Sequence, residues 1–294
     1  MSRKYSLSDE FEIIDPPVPK VHREEWALLQ RPGQSRVSPP GLHHSLVRGI
    51  PEHMRPGLWQ MFGANVSERH YLQLSSFTGA DREINKDLSR TFPFHSLFTQ
   101  KGGIGQTALQ NLLRAYAKAD PKVGYCQGMA FIAGLLLMHL SEMAAFRVFW
   151  YVMNDLQWRE LFLAGTPKLV RILDSLARQV ESHHLDLYMH FQSQELDFTC
   201  FSAYFLTLCV YIAPLEISVK IMDLFLMEGE EVLLNLILKM LVLKKNKILR
   251  LKSGELHNFL SKRLVVECFE QYKAENLLEF GSDFCQIEEE YEMI

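Results

Sequence analysis

Asp87 and Arg90 are the residues of this sequence whose types and spacing most directly permit chemistry. At positions i and i+3 of a helix their side chains lie on one face, so the carboxylate can hold the guanidinium or an adjacent backbone amide in place. The alternative is an ordinary surface ion pair, which contributes less than about 1 kcal/mol to folding.

A second candidate is Gln127, which lies between Tyr125 and Gly128 and directly before a strongly apolar stretch. Its neutral amide offers a donor and an acceptor at a helix entrance, where the backbone potential also favours anions. The alternative role for Gln127 is a helix cap. The neighbouring Cys126 could act as a nucleophile with His139, but no orienting group accompanies them, and a packed thiol is favoured.

A third segment, residues 55–59, begins with Arg55 and ends with Trp59. We expect these two side chains to brace the fold, because an aromatic residue at helical spacing more often packs than reacts. The histidine pairs at 43–44 and 183–184 are adjacent in sequence, so on a helix they point about 100° apart and make poor joint metal ligands. We predict no metal site.

The composition sets broad limits on function. The chain has 294 residues of which 48% are apolar, and 31 Lys and Arg against 35 Asp and Glu give a formal charge of −4. That charge is a poor match to a nucleic-acid-binding protein. The sequence contains no GxxxxGK[ST], GxGxxG, HExxH or GxSxG motif, so we do not expect the chain to bind or hydrolyse nucleotide alone.

The cysteines and the apolar runs indicate a cytoplasmic protein without a transmembrane segment. The cysteines are odd in number and lack paired spacing, which is typical of reduced thiols. They are Cys126, Cys200, Cys209, Cys268 and Cys285. The longest apolar candidate, residues 128–138, is about half the length that spans a bilayer.

Helix-length apolar patterns separated by short breakers predict an all-α fold. Residues 1–41 are polar and proline-rich and are predicted to form an extended arm, and residues 281–294 are predicted to form an acidic helix that could begin a coiled coil. Between them we predict helices over residues 56–62, 82–88, 107–118, 128–140, 142–155, 167–181, 203–212, 215–227, 230–243, 254–259 and 264–276.

Taken together, the three segments resemble the fingerprints of the TBC domain, the family of Rab GTPase-activating proteins. Its RxxxW element matches Arg55 and Trp59. Its IxxDxxR element matches Ile84, Asp87 and Arg90, and its YxQGM element matches Tyr125, Gln127, Gly128 and Met129. The three elements occur in the family's order, and the resemblance extends over about residues 42–280.

The resemblance implies a two-lobed, all-helical domain that acts on a Rab-family small GTPase. Arg90 would enter the active site of the GTPase, and Gln127 would orient the attacking water. Asp87 would orient Arg90, while Ile84, Tyr125 and Gly128 would support the two fingers. No cofactor is expected in this chain itself, because GTP and Mg²⁺ would belong to the partner, which would also bring the chain to endomembranes.

Two other classes of function remain open from the sequence. The domain could bind a Rab as an effector or scaffold without accelerating hydrolysis, although the presence of both finger residues favours activity. A self-contained thiol enzyme using Cys126 is disfavoured, because the sequence offers no recognisable partner triad. The sequence does not indicate which Rab would be the substrate.

Overall fold

The computed structural model describes residues 42–279. The predicted arm at residues 1–41 and the predicted acidic helix at 281–294 lie outside the described residues. Within residues 42–279 the regular structure is entirely helical, which confirms the all-α prediction.

The helices form two lobes. The first lobe comprises α2 (Arg55–Gln60), α3 (Glu68–Ser75), α4 (Asp81–Leu88), α5 (Ile104–Ala119), α6 (Met129–His139) and α7 (Glu142–Trp150). In this lobe α5 packs against α3, α4, α6 and α7, and α2 packs on α7.

The second lobe begins after a π-helical turn, Tyr151–Asp155, and a 3-10 turn, Trp158–Leu161. It comprises α8 (Pro167–His183), α9 (Leu185–Ser193), a 3-10 turn (Phe198–Phe201), α10 (Ser202–Leu206), α11 (Leu215–Glu228), α12 (Glu231–Leu243), α13 (Lys245–Ile248), α14 (Ser253–Asn258), a π turn (Phe259–Arg263), α15 (Leu264–Gln271) and α16 (Ala274–Leu278). It also includes α1 (Leu42–Arg48), which packs on α11 and α16. The predicted two-lobed arrangement is therefore confirmed.

Helix α6 carries the third motif into the core. It is apolar on all sides, and its residues from Met129 to Leu136 are buried with the exception of the half-buried Phe131. A helix that is apolar all round must be enclosed by other elements. Helices α4, α5 and α7 supply that enclosure in the first lobe, so the start of α6 is held in a fixed position.

Four helices were not predicted from the sequence: α1, α3, α9 and α13. Helix α3 has only eight residues; it buries Tyr71 and Ser75, packs Leu74 partly against the core and leaves Leu72 exposed, so its apolar stripe is too short to mark a helix in the sequence. Its start depends on a local signal instead, because the Ser67 hydroxyl accepts a hydrogen bond of 3.3 Å from the backbone N–H of His70.

The predicted helix over residues 203–212 is wrong in its second half. Helix α10 ends at Leu206, and both Leu208 and Cys209 adopt positive φ angles, +50° and +63°. Residues other than glycine rarely occupy this left-handed region of backbone conformation. The apolar composition of residues 203–212 therefore does not predict that the helix ends at Leu206.

No helix among residues 42–279 is both long enough and apolar enough to cross a membrane.

Candidate functional site

Arg90 follows the C-terminal end of α4, and the buried face of this helix fixes its position. Ile84 on that face has no exposed surface, and one turn later the Asp87 side chain is only 5% exposed. The Asp87 carboxylate forms an ion pair with the Arg90 guanidinium, the contact that the i, i+3 spacing predicts. The Arg90 side chain remains 49% exposed. A buried carboxylate thus holds a guanidinium whose other donors face solvent.

The chain turns sharply after Arg90, and Asp87 also organises that turn. The carbonyl oxygen of Asp87 accepts hydrogen bonds from the N–H of Arg90 at 3.1 Å and from the hydroxyl of Thr91 at 2.7 Å. Phe92 then adopts a φ of +49° and packs between Phe98 and Phe131, with ring centroids 5.9 and 6.0 Å away. This packing anchors the loop that carries Arg90 to helix α6.

Tyr125 connects the second motif to the third. Its hydroxyl donates a hydrogen bond to the second carboxylate oxygen of Asp87. Burial and this contact with Asp87 raise the pKa of Tyr125 well above its usual value, so the hydroxyl keeps its proton. Asp87 therefore lies between Arg90 and Tyr125, with one oxygen for each.

Gln127 is two residues from Tyr125, and its side chain is exposed. Within residues 42–279 its amide makes no hydrogen bond. The cap of α6 is Gly128, and no side chain caps that helix. The alternative role of Gln127 as a helix cap is therefore wrong, and its amide is available to another molecule.

Gly128 occupies a position where only glycine fits. Its φ is +108°, and a Cβ built there would lie 2.9 Å from the carbonyl oxygen of Leu206 in the second lobe. Any larger residue would push the loop of Gln127 away from α10. The position of the third motif thus depends on a close contact between the backbones of Gly128 and Leu206, which lie in different lobes.

Arg55 and Trp59 lie apart from this group and meet at a different residue, Asp223. The carboxylate of Asp223 is fully buried and accepts hydrogen bonds from Arg55 Nε at 3.1 Å and from Trp59 Nε1 at 2.8 Å. Burial raises the pKa of Asp223 to about 6, although Arg55 and Trp59 act in the opposite direction. This cluster joins α2 to α11 and so ties the two lobes together.

The other candidate groups identified in the sequence have ordinary environments. Cys126 is half-buried, and burial raises the pKa of its thiol, which opposes a role as a nucleophile. His43 and His44 each contact a different carboxylate, Glu228 and Glu279, rather than a common point. Among the described residues, no group of three His, Cys, Asp or Glu side chains is arranged to hold a metal ion.

Sequence reasoning missed several residues that shape this site. Asp223 was detectable as the acidic residue in the apolar middle of helix α11, because a buried carboxylate requires a cationic partner. The edge-on contact of Phe92 with Phe131 had no signal in the sequence, because the two residues are far apart in the chain and each resembles an ordinary core residue.

The fold and site together define an all-helical, two-lobed domain that presents an arginine and a glutamine from neighbouring loops. Comparison with known proteins agrees with this class. The family model described as Rab-GTPase-TBC domain matches residues 53–249, inside the predicted limits of 42–280. The chain therefore belongs to the Rab-GTPase-TBC domain family.

Individual relatives support the assignment. The chain is 36% identical over 241 residues to the human Ecotropic viral integration site 5 protein homolog, covering 80% of this chain and 29% of that protein. It is 37% identical over 211 residues to Rab GTPase-activating protein eat-17 of Caenorhabditis elegans, covering 69% of this chain and 23% of that protein. The chain thus spans less than a third of either relative.

Among solved structures, the flagellar RabGAP TBC domain of Chlamydomonas superposes with a TM-score of 0.72 at 22% sequence identity. The superposition covers 88% of this chain and 91% of that domain. At this level of identity the similarity establishes the fold.

Proposed function

We propose that this chain is a GTPase-activating protein for a Rab-family small GTPase, supplying Arg90 as an arginine finger and Gln127 as a glutamine finger. The observation that carries the proposal is the shared carboxylate of Asp87, which binds both Arg90 and Tyr125. Through it, the loops of the two fingers are held together while both finger side chains stay accessible.

The chemistry of GTP hydrolysis suits these two groups. Phosphoryl transfer depends on positioning and on stabilising the charge that develops on the transferred group, and an arginine supplied by a partner accelerates it by about 10³–10⁵-fold. The Arg90 guanidinium would neutralise that charge, while the amide of Gln127 would hold the attacking water with its donor and acceptor. Asp87 is a positioning residue, because it acts through Arg90.

In this proposal the chain completes the active site of another protein and is an activator rather than a self-contained enzyme. GTP and Mg²⁺ are bound by the GTPase. The name of one relative, Rab GTPase-activating protein eat-17, supports this assignment. We further propose that the chain acts in the cytoplasm in regulating vesicle traffic, and that its GTPase partner recruits it to endomembranes.

A catalytically silent Rab effector or scaffold is the competing function. It would need the same docking surface but would not need a half-exposed Arg90 paired with a buried carboxylate. The two functions therefore predict different effects of removing the Arg90 guanidinium on the rate of GTP hydrolysis. A silent scaffold would bind its Rab without changing the rate of hydrolysis.

The test is GTP hydrolysis by a panel of purified Rab proteins, with and without this chain. We expect one or a few to be stimulated. Arg90→Ala and Gln127→Ala should each abolish at least about 99% of the stimulation, in keeping with the magnitude of an arginine finger, and Arg90→Lys should be only weakly active. Arg82→Ala is the matched control, because Arg82 lies at the start of α4, the helix that precedes Arg90, and its side chain is 90% exposed.

Stimulation that persists in both finger variants would refute the mechanism. Binding without stimulation across the panel would identify the chain as a scaffold.

A further inference from the structure

The segment after α10 contains the most unusual backbone of the second lobe. Leu208 and Cys209 are consecutive, fully buried, and both left-handed, with φ angles of +50° and +63°. Residues in this conformation are strained and persist only where the surroundings enforce it, and they are concentrated at functional sites. Two such residues in succession therefore indicate that this segment has a specific structural or functional role.

The strained break is well supported by hydrogen bonds, so it is a built feature of the fold. The N–H of Cys209 donates to the carbonyl of Tyr204 at 2.8 Å, and the N–H of Val210 donates to the carbonyl of Thr207 at 3.0 Å. The N–H of Tyr211 donates to the hydroxyl oxygen of Thr207 at 3.3 Å. These bonds replace the helical ladder that the sequence pattern predicts there.

The effect of the break is to turn Tyr211 outward. In a continuous helix Tyr204 and Tyr211, seven positions apart, would lie on one face. Tyr204 is fully buried and donates a hydrogen bond to the carbonyl of Leu260 at 2.7 Å. A continuous helix would therefore direct Tyr211 to the core, whereas in the structure its side chain is 64% exposed.

Tyr211 packs on α6, the helix that begins directly after the loop of Gln127. Its ring packs edge-on against Phe131 with centroids 5.1 Å apart, and Phe131 in turn packs against Phe92 in the loop that follows Arg90. The same segment begins at Leu206, whose carbonyl oxygen lies against Gly128 beside Gln127. The segment from Leu206 to Tyr211 thus contacts the loop of Gln127 directly, and it is linked to the loop after Arg90 through Phe131.

We infer that Tyr211 is a partner-contact residue that helps determine which GTPase the site accepts. A tyrosine anchored on one edge and open on its other face combines a large apolar area with few rotatable bonds, and tyrosine is enriched among the residues that dominate binding energy. Its partner would be an apolar part of the GTPase surface close to the bound nucleotide, because Tyr211 packs on Phe131, which also supports the loop of Arg90 that would enter the nucleotide site. The inference rests on the proposed function.

The test compares Tyr211→Ala and Tyr211→Phe with wild type in two assays: single-turnover hydrolysis by the Rab panel, and binding to each Rab loaded with a non-hydrolysable GTP analogue. We expect Tyr211→Ala to raise KM and Kd by about tenfold or more, which corresponds to about 1.4 kcal/mol, with kcat within about twofold. Tyr211→Phe should stay within about twofold of wild type, because the contact is made by the ring.

Leu185→Ala is the matched control, because Leu185 is 60% exposed and lies on α9, which packs on α8. It should leave KM, Kd and kcat unchanged. All three variants should melt like wild type, since the side chains removed are mostly exposed.

The outcomes separate the inference from the proposed function. If wild type stimulates hydrolysis and Tyr211→Ala leaves KM and Kd unchanged for every responsive Rab, the inference is overturned while the proposed function stands. If wild type binds without stimulating, the proposed function fails, and the Kd of Tyr211→Ala still decides the inference. If no Rab binds, both fail.

Discussion

Removal of the Tyr125 hydroxyl is the most informative perturbation of this site. The substitution Tyr125→Phe removes this group alone, and the group donates a hydrogen bond to a carboxylate oxygen of Asp87. The change leaves Arg90 and Gln127 untouched. It also leaves the ion pair between Asp87 and Arg90 in place. Any effect on hydrolysis must therefore come from the freedom that the carboxylate gains when one of its partners is lost.

The expected size of the effect follows from the burial of Asp87. Its side chain is 5% exposed, so water is poorly placed to replace the missing donor. A hydrogen bond to a charged group contributes about 1.5–3 kcal/mol. Because Asp87 retains its contact with Arg90, we expect the loss at the transition state to lie near the lower end, which is a drop in kcat of about tenfold.

The assay is single-turnover GTP hydrolysis by a responsive Rab over a range of concentrations of this chain, which separates kcat from KM. We expect Tyr125→Phe to lower kcat with KM nearly unchanged, because the tyrosine acts through Arg90 rather than on docking. In an Arg90→Ala background, Tyr125→Phe should have no further effect on the rate.

Tyr71→Phe provides a matched control for loss of stability. Tyr71 is 3% exposed and donates to a carboxylate oxygen of Glu142 at 2.7 Å, so the substitution removes the same kind of hydrogen bond away from the fingers. It should lower the melting temperature about as much as Tyr125→Phe while leaving kcat unchanged. An unchanged kcat in Tyr125→Phe, or an equal loss in Tyr71→Phe, would refute the positioning role of the Tyr125 hydroxyl.

Two further predictions concern stability. Asp223→Asn should lower the free energy of unfolding by about 3–5 kcal/mol in urea titrations, because it leaves Arg55 buried without its counter-ion. The control is Glu160→Gln, which removes the carboxylate from the more exposed pair with Arg171 and should lower the free energy of unfolding by less than about 1 kcal/mol. A small effect of Asp223→Asn would show that the buried pair is dispensable. The pKa of His43 is raised, mainly by its hydrogen bond to Glu228. The contribution of the His43–Glu228 pair to the free energy of unfolding should be complete at pH values below 6.5, the pKa of histidine in the unfolded chain. This contribution should disappear as the pH rises through the higher pKa of His43 in the folded state. Urea titrations of His43→Gln should lack this pH dependence; an unchanged pH profile would contradict the assignment.

Much of the architecture was predictable from short-range information. The apolar run that became α6 had to be buried, and the i, i+3 spacing of Asp87 and Arg90 was sufficient to predict their contact. These features depend on helical periodicity, which the sequence displays directly. The short helix α3 escaped prediction because only Tyr71, Leu74 and Ser75 face the interior, which is too few positions to show a helical period.

What could not be predicted depends on contacts between distant parts of the chain. The hydroxyl of Tyr125 reaches Asp87 across 38 positions, and nothing in either segment specifies that meeting. The left-handed pair Leu208 and Cys209 likewise contradicts the local preference of an apolar run for helix. Tertiary packing prevails over local propensity at both places, as expected at sites under functional constraint.

The cluster around Asp223 also has a consequence for the timing of synthesis. Arg55 and its carboxylate partner are 168 positions apart. At a translation rate of about 5–20 residues per second, roughly 10–30 s pass between the synthesis of the first residue and that of the second. During that interval Arg55 can donate to the carbonyl of Ile50, but Arg55 and Trp59 both lack the carboxylate of Asp223, so the nascent first lobe cannot yet bury them at low cost. The first motif of the domain is therefore completed late, when α11 becomes available.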